Sequence, residues 1–287
     1  MEHSVDDKAK IIWINGSLIE ESKANVSVFD HGLLTGDGVF ETMIAYKDVP
    51  FAFTRHYKRL QKSASAFGLK VPDLDFLRDA CIKVLKANNL FPSRLRITIT
   101  GGPSPLGSEK GDAPENVIIA SSIAPKQPET SSVITVPYPR NEHGALAGLK
   151  TTSYGENVIA LAEAHSKGAR EAIFGNISGN LCEGTGSNIF VFYSEKLITP
   201  PLSSGCLAGV TRALVIEICK KLGISVIEDN TKLEILEKVE FAFLTSTLRE
   251  VQVIESVNDV ILPIVTSPII QKIKFEFDRI SSSDQDP

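Results

Sequence analysis

Leu181-Cys182-Glu183-Gly184-Thr185-Gly186-Ser187-Asn188-Ile189-Phe190 is the stretch on which the reading of this chain turns. A carboxylate follows two apolar-type residues and enters a Gly-Thr-Gly-Ser turn. That turn feeds a run suited to a strand, Asn188 to Phe192. Such a turn lets Glu183 face a cleft while the neighbouring strand is buried. The pattern is no dinucleotide fingerprint, because Gly184-Thr185-Gly186 lacks a third glycine and leads into a strand rather than a helix. Taken alone, a turn carboxylate in water is the plainer reading, since ionised side chains are seldom buried.

Working outward, Val133 to Val136, Glu171 to Phe174, Leu197 to Thr199 and Phe241 to Thr245 also read as strands. Leu214, Val215, Ile218 and Leu222 give a helix over Thr211 to Leu222, closed by Gly223. Thr231 to Val239 reads as a shorter helix, and Asn157 to Gly168 is helix-like. Upstream, Ile11 to Gly16 is a strand ending in an Asn-Gly turn, with Ser17 to Ile19 as its return. Val39 to Tyr46, Leu95 to Thr100 and Asn116 to Ser121 are further strands. Helices are expected over Arg55 to Phe67 and Asp75 to Asn88. The stretch Ala124 to Ser132 is rich in Pro, Ser and Thr and reads as a linker. The expected organisation is α+β in two domains: a small N-terminal domain over 1–123, a linker over 124–132 and a larger domain over 133–287.

The chain has 287 residues, 43% hydrophobic and 23% charged, with a net charge of −5. These are the proportions of a globular protein, and no basic run invites nucleic acid or an anionic membrane. Cys81, Cys182, Cys206 and Cys219 show no metal-ligand or redox spacing and read as buried thiols. Met1 to Lys10 lacks the apolar core of a secretory signal, and no run approaches a membrane span, so the expected compartment is the cytoplasm. The polar tail, Ser281 to Pro287, is expected to fray.

Lys150 lies in Leu146-Ala147-Gly148-Leu149-Lys150-Thr151-Thr152-Ser153-Tyr154, among small and apolar residues. Partial desolvation would favour its neutral amine, which can attack an aldehyde. A lysine that can join an aldehyde, together with a shielded carboxylate that can hold a ring nitrogen protonated, points to pyridoxal 5'-phosphate as an electron sink. Phosphate needs donors and positive charge. Arg59 follows His56 on its helix, Gly209-Val210-Thr211-Arg212 opens the helix after it, and Ser246 and Thr247 end a strand. Each has a plainer reading, with Arg59 as an ion-pairing helix residue, Gly209 as a packing glycine and Thr247 as a strand cap.

In this order the pieces resemble the class IV aminotransferases, the fold type IV pyridoxal phosphate enzymes. That family includes branched-chain and D-amino acid aminotransferases and 4-amino-4-deoxychorismate lyases. The resemblance runs from Trp13-Ile14-Asn15-Gly16 to Thr245-Ser246-Thr247. It is strongest over Leu181 to Phe190, Thr199-Pro200-Pro201-Leu202-Ser203-Ser204-Gly205 and Gly209 to Arg212. It implies a larger domain with a β-barrel-like core and a homodimer. It also implies Lys150 as the Schiff-base lysine and Glu183 as the partner of the pyridine nitrogen. Arg59, Val210, Thr211, Ser246 and Thr247 fall on phosphate positions, and Tyr154 is the candidate beside the ring hydroxyl.

A carboxylate substrate calls for an arginine. Arg96, Arg140 and Arg249 are the candidates, with Phe40 and Thr35 as further substrate-side residues. The D-amino acid enzymes carry Arg-x-His in the loop after the Leu95–Thr100 strand, where this chain has Leu106-Gly107-Ser108. Branched-chain enzymes place a tyrosine where this chain has Thr35. The residues Arg140-Asn141 and Leu146 to Lys150 resemble the lyase run. The implied reaction is exchange of an amino group between an amino acid or amine and a 2-oxo acid. The alternative is a lyase releasing pyruvate and 4-aminobenzoate, and a non-catalytic cofactor carrier is a third reading, opposed by the intact Lys150 and Glu183.

Overall fold

The computed structural model describes residues 10–263 and 266–287. The opening stretch, apart from Lys10, therefore lies outside the described residues. The chain forms two compact units. One runs to Pro125 and includes Thr151–Ser153 and Asp286; the other holds Lys126–Lys150, Tyr154–Gln285 and Pro287.

In the N-terminal unit, β1 (Ile11–Ile14) and β2 (Ser17–Glu20) form a hairpin. Its turn places Asn15 and Gly16 at φ 48° and 100°, the left-handed region that Asn-Gly accepts at small cost. After a single helical turn, α1 (His31–Leu34), come β3 (Gly38–Ala45), β4 (Ser93–Thr100) and β5 (Asn116–Ile123). The sheet order is β2-β1-β5-β4-β3. Alternation puts Val39, Met43, Leu95, Ile97 and Ile99 on one buried face. Against them pack Leu60 and Ala64 of α2 (Phe53–Phe67) and Leu77 and Val84 of α3 (Leu74–Asn88). Asp73 caps α3 by accepting from the N–H groups of Asp75 and Phe76.

The second unit is built on nine strands. They are β6 (Thr130–Thr135), β7 (Glu171–Gly175), β8 (Leu181–Gly184), β9 (Asn188–Tyr193), β10 (Lys196–Thr199), β11 (Val226–Glu228), β12 (Phe241–Ser246), β13 (Glu250–Val257) and β14 (Val260–Ile261). Their order is β11-β10-β9-β12-β13-β6-β7-β8, with β14 on β13, and the sheet curls into a half-barrel. Register places Phe190 opposite Phe243 and Phe192 opposite Phe241. The two ring pairs stack at 4.9 and 4.6 Å. Such pairs add about 0.5–1.5 kcal/mol beyond their burial. The helices are α4 (Gly155–Ser166), α5 (Val210–Lys221) and α6 (Pro268–Ser283).

Four local expectations change. The expected linker is shortened, because Thr130–Ser132 already belong to β6, paired in parallel with β13. Thr231 to Val239 is a short 3-10 turn over Leu233–Glu237 rather than a full helix. The tail is held: α6 runs to Ser283, and Asp286 accepts from the Thr54 N–H and hydroxyl and from Arg78 at 2.8, 2.5 and 3.0 Å. Side-chain partners distant in sequence overrode a polar composition. Finally, β13 and α6 had no counterpart in the sequence reading. Among the described residues, no helix is long and apolar enough to cross a membrane.

Candidate active site

Glu183 stands on β8 opposite Phe174 of β7, its side chain 13% exposed. Its Oε2 accepts the Leu207 N–H at 2.9 Å, and its Oε1 lies 3.5 Å from Arg140 Nε. Burial pushes the Glu183 carboxyl above its ordinary value. Arg140, the Leu207 N–H and Lys150 pull the other way. That last pull places the lysine and the carboxylate in one electrostatic neighbourhood. Lys150 is half-buried after a turn, and its Nζ is 5.9 Å from the centroid of the Tyr154 ring.

The turn following Glu183 is held from beneath. Glu171, buried on β7, accepts from the Thr185 N–H at 3.0 Å, from the Thr185 hydroxyl and from the Ser187 hydroxyl at 3.1 Å. The Thr185 carbonyl in turn accepts from Tyr154 Oη at 3.2 Å and from Asn157 Nδ2 at 2.5 Å. Tyr154 is thereby fixed at the head of α4 beside the turn.

Asn188 closes the turn. Its Nδ2 donates to the Leu207 carbonyl at 2.8 Å. Two residues on, Gly209 precedes α5 with no side chain to cap it, so the first-turn N–H groups of Val210 and Thr211 lack an intrahelical acceptor. A Cβ at Gly209 would come within 2.0 Å of Asn188 Oδ1, so only glycine fits. Ser246 ends β12, where its Oγ accepts from the Arg249 N–H at 3.2 Å, and Thr247 lies in the turn beyond. Opposite Asn188 in the ladder, the buried Thr245 hydroxyl has no hydrogen-bond partner among the described residues.

Two arginines read from sequence as substrate candidates turn out to serve protein carboxylates. Arg140 Nη1 donates to Glu156 at 2.9 Å, its guanidinium lies 4.0 Å over the Phe174 ring, and Nε faces Glu183. The cause is the bridge between Arg140 and Asn176, which runs this residue alongside β7. Arg249 donates to Gln252 at 2.5 Å and to the Arg170 carbonyl at 3.0 Å, with Glu171 Oε2 at 3.5 Å.

The remaining candidates belong to the N-terminal unit. Arg59 donates through Nε and Nη2 to both oxygens of Glu41, each at 2.7 Å, which matches the ion-pairing reading of that residue. Arg96 lies 3.7 Å over the ring of Phe40, on the sheet face opposite the α2 and α3 packing. The Thr35 hydroxyl donates to the His31 carbonyl at 2.9 Å. Leu207, Asn188, Glu171 and Glu41 were not singled out from sequence. Asn188 alone had a signal there, its place at the mouth of the Gly-Thr-Gly-Ser turn.

Residues 38–257 match the family described as amino-transferase class IV. The chain belongs to the class IV aminotransferase family. A putative branched-chain-amino-acid aminotransferase of Methanocaldococcus jannaschii is 36% identical, covering 94% of this chain and 96% of that one. The aminodeoxychorismate lyase of Bacillus subtilis is 31% identical over 84% of each. Among solved structures, the branched-chain aminotransferase of Thermoproteus uzoniensis with norvaline superposes with a TM-score of 0.91 at 30% identity, over 97% of both chains. The fold is that of the fold type IV enzymes. As a class IV aminotransferase the protein is a pyridoxal-phosphate-dependent transaminase, with the lyase the related alternative.

Proposed function

We propose that this class IV aminotransferase exchanges an amino group between a branched-chain or similar amino acid and a 2-oxo acid, working through Lys150 and Glu183. The observation that carries the reading is Glu183, shielded from water, with Lys150 in its field and Arg140 and the Leu207 N–H as its partners.

The donor set fits pyridoxal phosphate. Lys150 offers a primary amine to the aldehyde, and Glu183 offers a carboxylate to the ring nitrogen. The uncapped start of α5 at Val210 and Thr211 offers N–H groups to the phosphate, with Ser246 and Thr247 at the neighbouring strand end. The unpartnered Thr245 hydroxyl leaves donor capacity on the same strand. When bound, the cofactor supplies the electron sink that makes an α-proton of the amino substrate removable.

The chain's own residues then divide the work. Lys150, half-buried, takes the α-proton at Nζ and returns it, acting as base and then acid. Glu183, partnered by Arg140 and the Leu207 N–H, would offer its carboxylate to the ring nitrogen and hold a proton there. Glu171 and Asn157 hold the Thr185 turn, and with it would keep Glu183 fixed beneath a bound cofactor. Tyr154, tied to the same turn, is the hydroxyl proposed for the ring oxygen.

The branched-chain class is supported by the relatives from M. jannaschii and T. uzoniensis. The test is a half-reaction: purified protein is mixed with L-valine or L-leucine and the visible absorbance followed without an acceptor. Replacement of the resting visible band by that of the pyridoxamine form supports transfer. No change with any L-amino acid, D-amino acid or (R)-amine, with pyruvate released from aminodeoxychorismate, supports the lyase. A homodimer and a cytoplasmic location complete the proposal, checked by sedimentation and by fractionation.

A further inference from the structure

Glu183 and Asn188 stand at the two ends of one tight turn, and both grip the same distant residue. Glu183 Oε2 takes the Leu207 N–H at 2.9 Å, and Asn188 Nδ2 donates to the Leu207 carbonyl at 2.8 Å. Inside the turn, the Gly184 N–H donates to the Ser187 carbonyl at 2.8 Å, so the two ends are held at fixed spacing. Asn188 is only 5% exposed, and its pairing opposite Thr245 anchors it in the ladder between β9 and β12.

The other half of the carboxamide meets the start of α5. Asn188 Oδ1 rests so close to Gly209 that an added Cβ would sit 2.0 Å from it. Leu207 and Gly209 are separated by one residue, so a single side chain fixes both the peptide that binds Glu183 and the residue from which α5 begins. A buried carboxamide whose amide is hydrogen-bonded to one residue and whose oxygen packs against another holds both neighbours to one geometry.

We infer that Asn188 is a positioning residue that locks the Glu183 carboxylate and the anion-binding start of α5 into one rigid piece. The cofactor's ring and its phosphate are then registered by one side chain. This rests on the proposed roles of Glu183 and of Val210 and Thr211. It predicts that loss of Asn188 is felt at both ends of the cofactor, and also in the protein without cofactor.

The test uses full-length protein, converted from holoenzyme to apoenzyme, as wild type, Asn188→Ala, Asn188→Asp and Glu183→Gln. Asn188→Asp keeps an oxygen against Gly209 but turns the donor facing the Leu207 carbonyl into an acceptor. It serves if the alanine variant does not fold. Three quantities are read: Leu207 amide hydrogen exchange in the apoprotein, the ratio of pyridoxal phosphate to pyridoxal dissociation constants, and the pH midpoint of the bound cofactor's visible band. The inference expects Leu207 exchange to rise, the phosphate preference to fall about fivefold, the size of one lost neutral hydrogen bond, and the midpoint to move in the direction Glu183→Gln moves it. It is overturned if Asn188 variants lose thermal stability alone, or if only one end of the cofactor responds while Glu183→Gln shifts the midpoint. Should Glu183→Gln leave the midpoint unmoved, the role of Glu183 fails and the inference falls with it.

Discussion

Glu41 and Arg59 form a buried bidentate pair, both N···O distances 2.7 Å, with His56 Nδ1 donating to the same carboxylate at 2.7 Å. Burial would raise the Glu41 carboxyl, but the charge and hydrogen bonds of Arg59, then those of His56, hold it far below the usual carboxylate range. Such a group stabilises the fold above the unfolded-state value of about 4.3, and the contribution is lost as pH falls below it. Glu41→Gln leaves Arg59 buried against a neutral amide, at a cost of about 3–5 kcal/mol. Urea unfolding of both proteins at pH 7 and pH 3 should show the gap narrowing at the lower pH, because the contribution is lost as pH falls from the unfolded value toward the depressed folded one. A gap that does not depend on pH would contradict the pairing.

His31 carries the opposite sign. It is 2% exposed, with Nδ1 3.0 Å from Asp37 Oδ2 and Nε2 3.0 Å from the Gly107 carbonyl. The Asp37 hydrogen bond, then that of Gly107, raises the imidazole above its ordinary value, against burial and the nearby Lys110. Its stabilisation is complete below the unfolded value of about 6.5 and is lost as pH rises through the raised folded value. Wild-type stability should therefore decline over that window, and His31→Gln should flatten the decline. Thermal melts across pH 6 to 9 make the comparison.

Glu183→Gln and Lys150→Ala separate two kinds of loss. Glu183 carries a raised carboxyl in the apoprotein, so removing its charge relieves a burial cost at neutral pH. Apoprotein stability should change by less than about 1.5 kcal/mol, whereas transamination should fall by about 10²-fold or more, the scale for losing a preorganised electrostatic partner. Lys150→Ala should retain the fold and still bind pyridoxal phosphate, while its visible band shifts to that of a free aldehyde. A Lys150→Ala protein with the wild-type band would remove Lys150 from the chemistry.

These residues also show which parts of the molecule the sequence could express. Glu183 was legible because its turn is local: Gly184, Gly186 and the strand from Asn188 are its neighbours in the chain. The helix over Val210–Lys221 was legible from its 3.6-residue period. Arg140 was not, because which carboxylate a guanidinium meets depends on strand pairing, here Glu183 opposite Phe174 and Arg140 beside Asn176. Asp286 failed as a prediction for the same reason, since its partners Thr54 and Arg78 lie more than two hundred residues away. Leu207 contributes only its backbone, which leaves no mark in side-chain chemistry.

Thr245 offers a final test, because its hydroxyl is buried and has no hydrogen-bond partner among the described residues. A desolvated hydroxyl left unpaired costs about 1–3 kcal/mol, so an isosteric Thr245→Val apoprotein should be as stable as wild type or more so. Its position opposite Asn188, one residue before Ser246, puts the hydroxyl on the strand proposed to meet the cofactor's phosphate. If cofactor supplies the missing partner, Thr245→Val should weaken pyridoxal phosphate binding by about fivefold. Melting temperatures of the apo and loaded forms read both effects at once: the valine protein should gain less than wild type on adding cofactor. An equal gain in both proteins would make Thr245 a purely internal defect of the strand.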